Sequence, residues 1–145
     1  MKSSNKEEII NHNAIQLFDI VLDLDNYPKF IPWCKSMEIH SKTSTDIYAD
    51  MHVVYKLFFP QKFGSHVIYD RKKLIIKTIY LSGPLKDLKT HWKFKAINNN
   101  KTLITFNVNF EFKKFLHQKL AETFYPLIEN KMINSFKERA NIILN

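Results

Sequence analysis

Along the middle of the chain, from Lys35 to Phe112, apolar and polar residues alternate with a period of two; before and after that block the spacing is helical. Strands are expected at Ser36–Ser41, Asp46–Phe58, Phe63–Arg71, Lys73–Ser82, Asp87–Ile97 and Thr102–Phe112. The segments "SKTST", "FPQKFG", "SGPLK" and "NNNK" supply the turns between them. Connections this short join neighbouring strands as antiparallel hairpins. In the sixth of these strands Ile104, Phe106, Val108, Phe110 and Phe112 share one face, opposite Thr105, Asn107, Asn109 and Glu111. The fifth sorts Leu88, Trp92, Phe94 and Ala96 from Lys89, His91, Lys93 and Lys95. Such strands build a sheet with one apolar and one wet face.

Ahead of the block, "EEIIN" (Glu7–Asn11) suits a first strand. Asn13 is a candidate N-cap for a helix with Ile15, Phe18, Val21 and Leu22 on its inner face, and Pro28 and Pro32 break that helix into a second, bent segment. Behind the block, Phe115, Leu116, Leu120 and Phe124 form one helical stripe. Ile128, Met132, Phe136, Ala140 and Ile143 form another, with Pro126 as the kink between them. The order strand, two short helices, six strands, long helix predicts an α+β helix-grip fold. A curved antiparallel sheet of about seven strands wraps a long C-terminal helix, commonly with a cavity between them. The length of 145 residues fits one domain, 1–145.

Composition narrows the class. Twelve phenylalanines in a chain that is 45% hydrophobic mean either a thick core or a greasy cavity. No apolar run reaches the roughly 18 residues of a membrane span, and the polar start "MKSSNKEEIINHN" lacks the core of a secretory signal. One cysteine excludes a disulfide framework, so a cytoplasmic protein is expected. The net charge of +8 favours an acidic partner.

Chemistry-bearing patterns are sparse. The six histidines are scattered, although His52 and His66 share a hairpin across which they could face each other. Cys34, in "YPKFIPWCK", has Lys35 beside it but reads better as a packing residue than as a nucleophile. Asp19, Asp23 and Asp25 lie opposite the apolar helix face, and Asp50 and Asp70 are expected to point to water. Only two glycines occur, which rules out a glycine-rich phosphate loop. The basic stripe Lys89, His91, Lys93 and Lys95, with Arg71–Lys73 and Lys113–Lys114, suits electrostatic docking on anionic headgroups or ribosomal RNA. No aromatics interleave with it, so sequence-specific reading of nucleic acid is not indicated.

The stretch "LFDIVLDLDNYPKFIPWCKSMEI" resembles the start of the coenzyme-Q-binding START-like proteins and of the bacterial RatA-type ribosome association toxins, both of the polyketide cyclase/START helix-grip superfamily. Tyr27, Phe30, Pro32, Trp33 and Cys34 carry the resemblance, supported by "LSGPLKDLKTHWKF" and "VNFEFKKFLHQKL". It implies non-catalytic binding of ubiquinone or a related polyprenyl quinone or lipid in support of respiratory electron transport, with no cofactor required. The alternative it implies is binding to the large ribosomal subunit that blocks subunit association. A ubiquinone-type ligand would suit a cavity lined by Trp92, Phe94, Phe106, Val108, Phe110, Phe124, Ile128 and Met132, with Trp33 as a candidate gate. Periodicity describes a solid core equally well. The partners expected are thus a hydrophobic small molecule, an anionic membrane surface at the inner face of the bacterial cytoplasmic membrane, or the large ribosomal subunit.

Overall fold

The structure is a computed structural model, and it describes residues 2–54, 61–113 and 131–144. Seven strands, β1 (Lys2–Ile10), β2 (Cys34–Lys42), β3 (Asp46–Val53), β4 (Gln61–Asp70), β5 (Ile75–Ser82), β6 (Leu85–Asn98) and β7 (Lys101–Phe112), form one sheet. Its order is β1-β7-β6-β5-β4-β3-β2, and every neighbouring pair is antiparallel. The first two strands thus occupy opposite edges, and the segment between them must cross the whole sheet. Helix α1 (Ala14–Leu22), a single 3-10 turn (Leu24–Asn26) and α2 (Tyr27–Phe30) make that crossing over one face. There α1 touches β5 and β6 and α2 touches β2, while α3 (Met132–Ile143) packs against both helices. The α+β helix-grip architecture is as expected.

β1 begins five residues earlier than expected, at Lys2 rather than Glu7. Its register runs from Lys2 opposite Phe110 to Ile10 opposite Thr102. An edge strand keeps polar residues where it meets water, so "KSSNKE" carries no apolar alternation by which to recognise it. Asn13 caps α1 as expected, its Oδ1 accepting from the backbone N–H of Ile15 at 3.0 Å and Gln16 at 3.2 Å. The buried residues of α1 are Ala14, Leu17, Phe18, Ile20, Val21 and Leu22, so Phe18, Val21 and Leu22 lie inside as expected, whereas Ile15 points outward. The helix also stops before either proline: Asp23 N–H closes on Ile20 O at 3.3 Å, and Pro28 instead opens α2, where a missing N–H costs nothing.

In α3, Phe136 and Ala140 are buried as expected, Met132 is half-buried, and Ile143 is exposed. Phe115, Leu116, Leu120, Phe124, Pro126 and Ile128 lie outside the described residues, as does the expected continuation of β3 from residue 55 to Phe58. Between β5 and β6 the turn depends on Gly83, whose φ of +144° suits glycine, and a Cβ there would meet Lys62 O at 2.9 Å.

One core fills the space between the sheet's inner face and the helices. The strict alternation of β7 puts Ile104, Phe106, Val108, Phe110 and Phe112 into it, all buried. The outer face of β6 carries Lys89, His91, Lys93 and Lys95, as the period of two requires.

Candidate functional site: an apolar cavity between sheet and helices

Inside this core lies a cavity of about 140 Å³. Its sheet wall comes from β2 to β7: Met37; Ala49, Met51 and Val53; Phe63, Ser65 and Val67; Thr78; Leu88, Thr90 and Trp92; and Phe106. Leu24, Tyr27, Ile31, Trp33, Met132 and Phe136 close it from the helical side. Adjacent inward positions on adjacent strands line one patch because side chains on a sheet face repeat every second residue. Three methionines in that wall are unbranched and can re-pack around an occupant.

Trp92 is the hub. Its ring meets Phe106 with centroids 4.1 Å apart and Phe136 of α3 edge-on at 5.2 Å. Phe136 also meets Tyr27 and Phe30, each at 5.4 Å, so α2, α3 and the sheet are joined through aromatic contacts. Such edge-to-face pairs add about 0.5–1.5 kcal/mol each beyond the area they bury.

Of the residues expected to line a ligand site, Trp33, Trp92, Phe106 and Met132 do so. Phe94, Val108 and Phe110 share the buried face but are not part of this cavity wall. Phe94 is occupied elsewhere, edge-on to Phe18 of α1 at 5.8 Å. Phe124 and Ile128 lie outside the described residues. Periodicity assigns a side chain to a face; it does not say how far along the strand a void sits.

Among the described residues no charged side chain and no histidine lines the cavity. The Tyr27 hydroxyl donates to the Val21 carbonyl, and burial pushes its pKa far upward, so it stays neutral. Cys34 sits at the start of β2, buried behind Trp33, and its thiol lies 3.7 Å from the Ser36 carbonyl that it faces. Burial raises its pKa to about 11, which leaves it a protonated packing group rather than a nucleophile. Apart from the indole N–H groups of Trp33 and Trp92, the remaining polar side-chain groups of the lining are three hydroxyls, on Ser65, Thr78 and Thr90. Sequence reasoning missed them, because threonine in a strand reads simply as a good strand former.

The opposite face of the sheet is charged. Lys77 on β5 pairs in register with His91, which widens the expected basic stripe. Partial burial, with Lys77 and Lys93 nearby, lowers the His91 pKa, so the imidazole is neutral at pH 7. His52 and His66 do not face each other: His66 lies opposite Tyr48 and stacks on it at 4.2 Å, whereas His52 lies opposite Lys62. Asp50 does not simply point to water; it is half-buried and 2.7 Å from His40 Nε2. Glu38 joins this pair, and the three side chains offer ligand atoms within 4.8 Å of one another. With Lys62 Nζ 4.0 Å from the same Asp50 oxygen, the group is accounted for as an ion-pair cluster. No helix among the described residues is long and apolar enough to cross a membrane.

This geometry agrees with what the chain resembles. It is 29% identical to the ribosome association toxin RatA of Rickettsia prowazekii, over 99% of both chains. It is also 29% identical to the mitochondrial coenzyme Q-binding protein COQ10 of Drosophila melanogaster, across 90% of this chain and 55% of that protein. Among solved structures, an 18 kDa protein from Caulobacter crescentus is 28% identical, with a TM-score of 0.76 and 99% of each chain covered. The ZhuI aromatase/cyclase of Streptomyces superposes with a TM-score of 0.86 over 99% of this chain and 96% of its own, at 12% identity, which speaks for the fold alone. Residues 10–137 match the family described as polyketide cyclase / dehydrase and lipid transport, and the chain belongs to that family.

Proposed function

We propose that the chain is a non-catalytic carrier of a hydrophobic ring compound, of the quinone type, held in the cavity between sheet and helices. The observation that supports this most is the cavity itself: about 140 Å³, walled by aromatic, aliphatic and methionine side chains. An apolar void of roughly 150 Å³ takes up a benzene-sized guest, so the volume suits a quinone ring rather than a long isoprenoid tail. The similarity to COQ10 points the same way. The described lining holds no carboxylate, histidine or lysine to transfer a proton, which favours binding over the chemistry of the aromatase/cyclase neighbour. In this reading the protein works in the cytoplasm and at the inner face of the membrane, where its ligand would be exchanged.

The test is extraction of the purified protein with organic solvent, followed by mass spectrometry. The expected outcome is a co-purifying quinone, reduced in Ala49→Leu, which fills the cavity. Finding the same lipid load in both proteins would place the ligand elsewhere.

A second reading rests on a different observation. The outer band of Lys77, Lys89, Lys93 and Lys95 and the end-to-end similarity to RatA favour docking on the large ribosomal subunit. It predicts salt-sensitive co-sedimentation with large subunits that weakens when Lys89, Lys93 and Lys95 become glutamine. Unchanged sedimentation would remove that surface from consideration.

A further inference from the structure

We infer that Ser65, Thr78 and Thr90 form a row of hydroxyls that selects a ring bearing oxygen over a plain hydrocarbon of the same shape. The inference rests on the cavity being a ligand site. Thr78 on β5 stands directly opposite Thr90 on β6, and Val67 on β4 stands opposite Thr78, which makes Ser65 its diagonal neighbour on the same face. Directly opposed side chains have Cβ atoms about 4.5–5.5 Å apart and diagonal ones about 7–8 Å. The row therefore crosses three strands, with Thr78 and Thr90 side by side and Ser65 one strand further on, so a ring lying against it meets a hydroxyl on more than one side.

These hydroxyls are half-buried in the wall, and among the described residues none of the three has a side-chain hydrogen-bond partner. Yet none is sealed off: the described buried side-chain atom without a partner is His91 Nδ1, on the outer face. Other hydroxyls on this face are already engaged, since Tyr80 accepts from Leu85 N–H and donates to Leu85 O, both at 2.9 Å. Ser65, Thr78 and Thr90 are therefore the hydroxyls of the wall with free hydrogen-bonding capacity; the indole N–H groups of Trp33 and Trp92 can donate but not accept. An apolar pocket with a few convergent polar groups is the usual form of a small-molecule site, the polar groups fixing orientation.

A hydroxyl both donates and accepts, and its proton rotates to suit its partner. The row can donate to the carbonyl oxygens of an oxidised ring and accept from the hydroxyls of the reduced ring. It would thus hold both forms without moving a proton between protein and ligand, as a carrier requires.

The experiment compares duroquinone with durene, which has the same ring and methyl groups but no oxygens, by equilibrium dialysis against the full chain. In the variant Ser65→Ala, Thr78→Val, Thr90→Val, duroquinone should weaken about 2- to 10-fold for each hydroxyl that pairs, while durene binds as well or better. Thr78→Val alone should show the same selective loss in smaller measure, and Thr78→Ser, which keeps the hydroxyl, should restore duroquinone affinity. Equal losses for both ligands, or none for duroquinone, would overturn the inference while leaving the cavity as a ligand site. A wild-type protein that binds durene but not duroquinone would overturn it in the same way. Binding of neither by the wild type would remove both the inference and the carrier reading.

Discussion

Strand β6 places two surfaces back to back. Thr90, Trp92 and Phe94 face the helices, whereas Lys89, His91, Lys93 and Lys95 face away from them. The inner side is a matter of volume and shape: Trp92 is buried, touches three other aromatic rings and forms part of a cavity wall. The outer side is a matter of charge, where side chains are solvated and individually contribute little to stability. One strand therefore presents two independent surfaces, and changes on one need not disturb the other. The two proposed readings divide along this line.

The largest expected effect is on the inner side. Trp92→Ala should destabilise the fold by about 3–5 kcal/mol, read as a shift in the urea midpoint, whereas Lys93→Ala should stay within about 0.5 kcal/mol. Comparable losses at both positions would break the distinction between the faces. Next in size is the entry to α1: Asn13→Ala should cost about 0.5–2 kcal/mol through loss of the cap. The same side chain donates to Asn99 O at 3.0 Å and so ties the helix start to the β6–β7 turn, which Asn13→Asp would lose while keeping the cap. A loss in Asn13→Asp as large as in Asn13→Ala would mean that the tether outweighs the cap.

The outer face is sharpened by charge removal. Neutralising Lys89, Lys93 and Lys95 should leave the urea midpoint within experimental error. If nucleic acid is the partner, it should lower the salt slope of binding by about 0.7–0.9 for each phosphate contact removed. A further effect, confined to alkaline pH, concerns Cys34. Its folded-state pKa is raised from 9.0 to about 11, so the thiol keeps its proton in the folded protein where the unfolded chain has lost it. Stability from this group is complete below pH 9.0 and falls as pH rises toward about 11. Denaturation midpoints should show that decline in the wild type, with the Cys34 part of it missing from Cys34→Ala.

The sequence made β6 and β7 legible because bulky side chains alternate there without interruption. β1 was harder to delimit because a polar edge strand has no apolar face to betray it. In α1 the expected Phe18, Val21 and Leu22 are buried but Ile15 is not: Ile15 is as apolar as Leu17, and only packing against β5 and β6 shows which is buried. The site was legible in part, since Trp33, Trp92, Phe106 and Met132 line the cavity. Phe94 belongs to the same face but fills space against Phe18, a distinction of depth along a strand that alternation does not encode. The hydroxyl row was invisible for another reason. Ser65, Thr78 and Thr90 are far apart in sequence, and only the registers of β4, β5 and β6 bring them together.

If the inner face holds a ring-sized guest, blocking the cavity must abolish its binding. Ala49 lies on the cavity wall and is buried, so Ala49→Leu would place three extra carbons in the void. Duroquinone binding should be measured for the wild type and for this variant, each first shown to be folded. The wild type should bind one-to-one and saturably, and the blocked variant should lose at least tenfold in affinity, about 1.4 kcal/mol. Equal affinity in the two proteins, or none in the wild type, would contradict a ring-sized guest on the inner face.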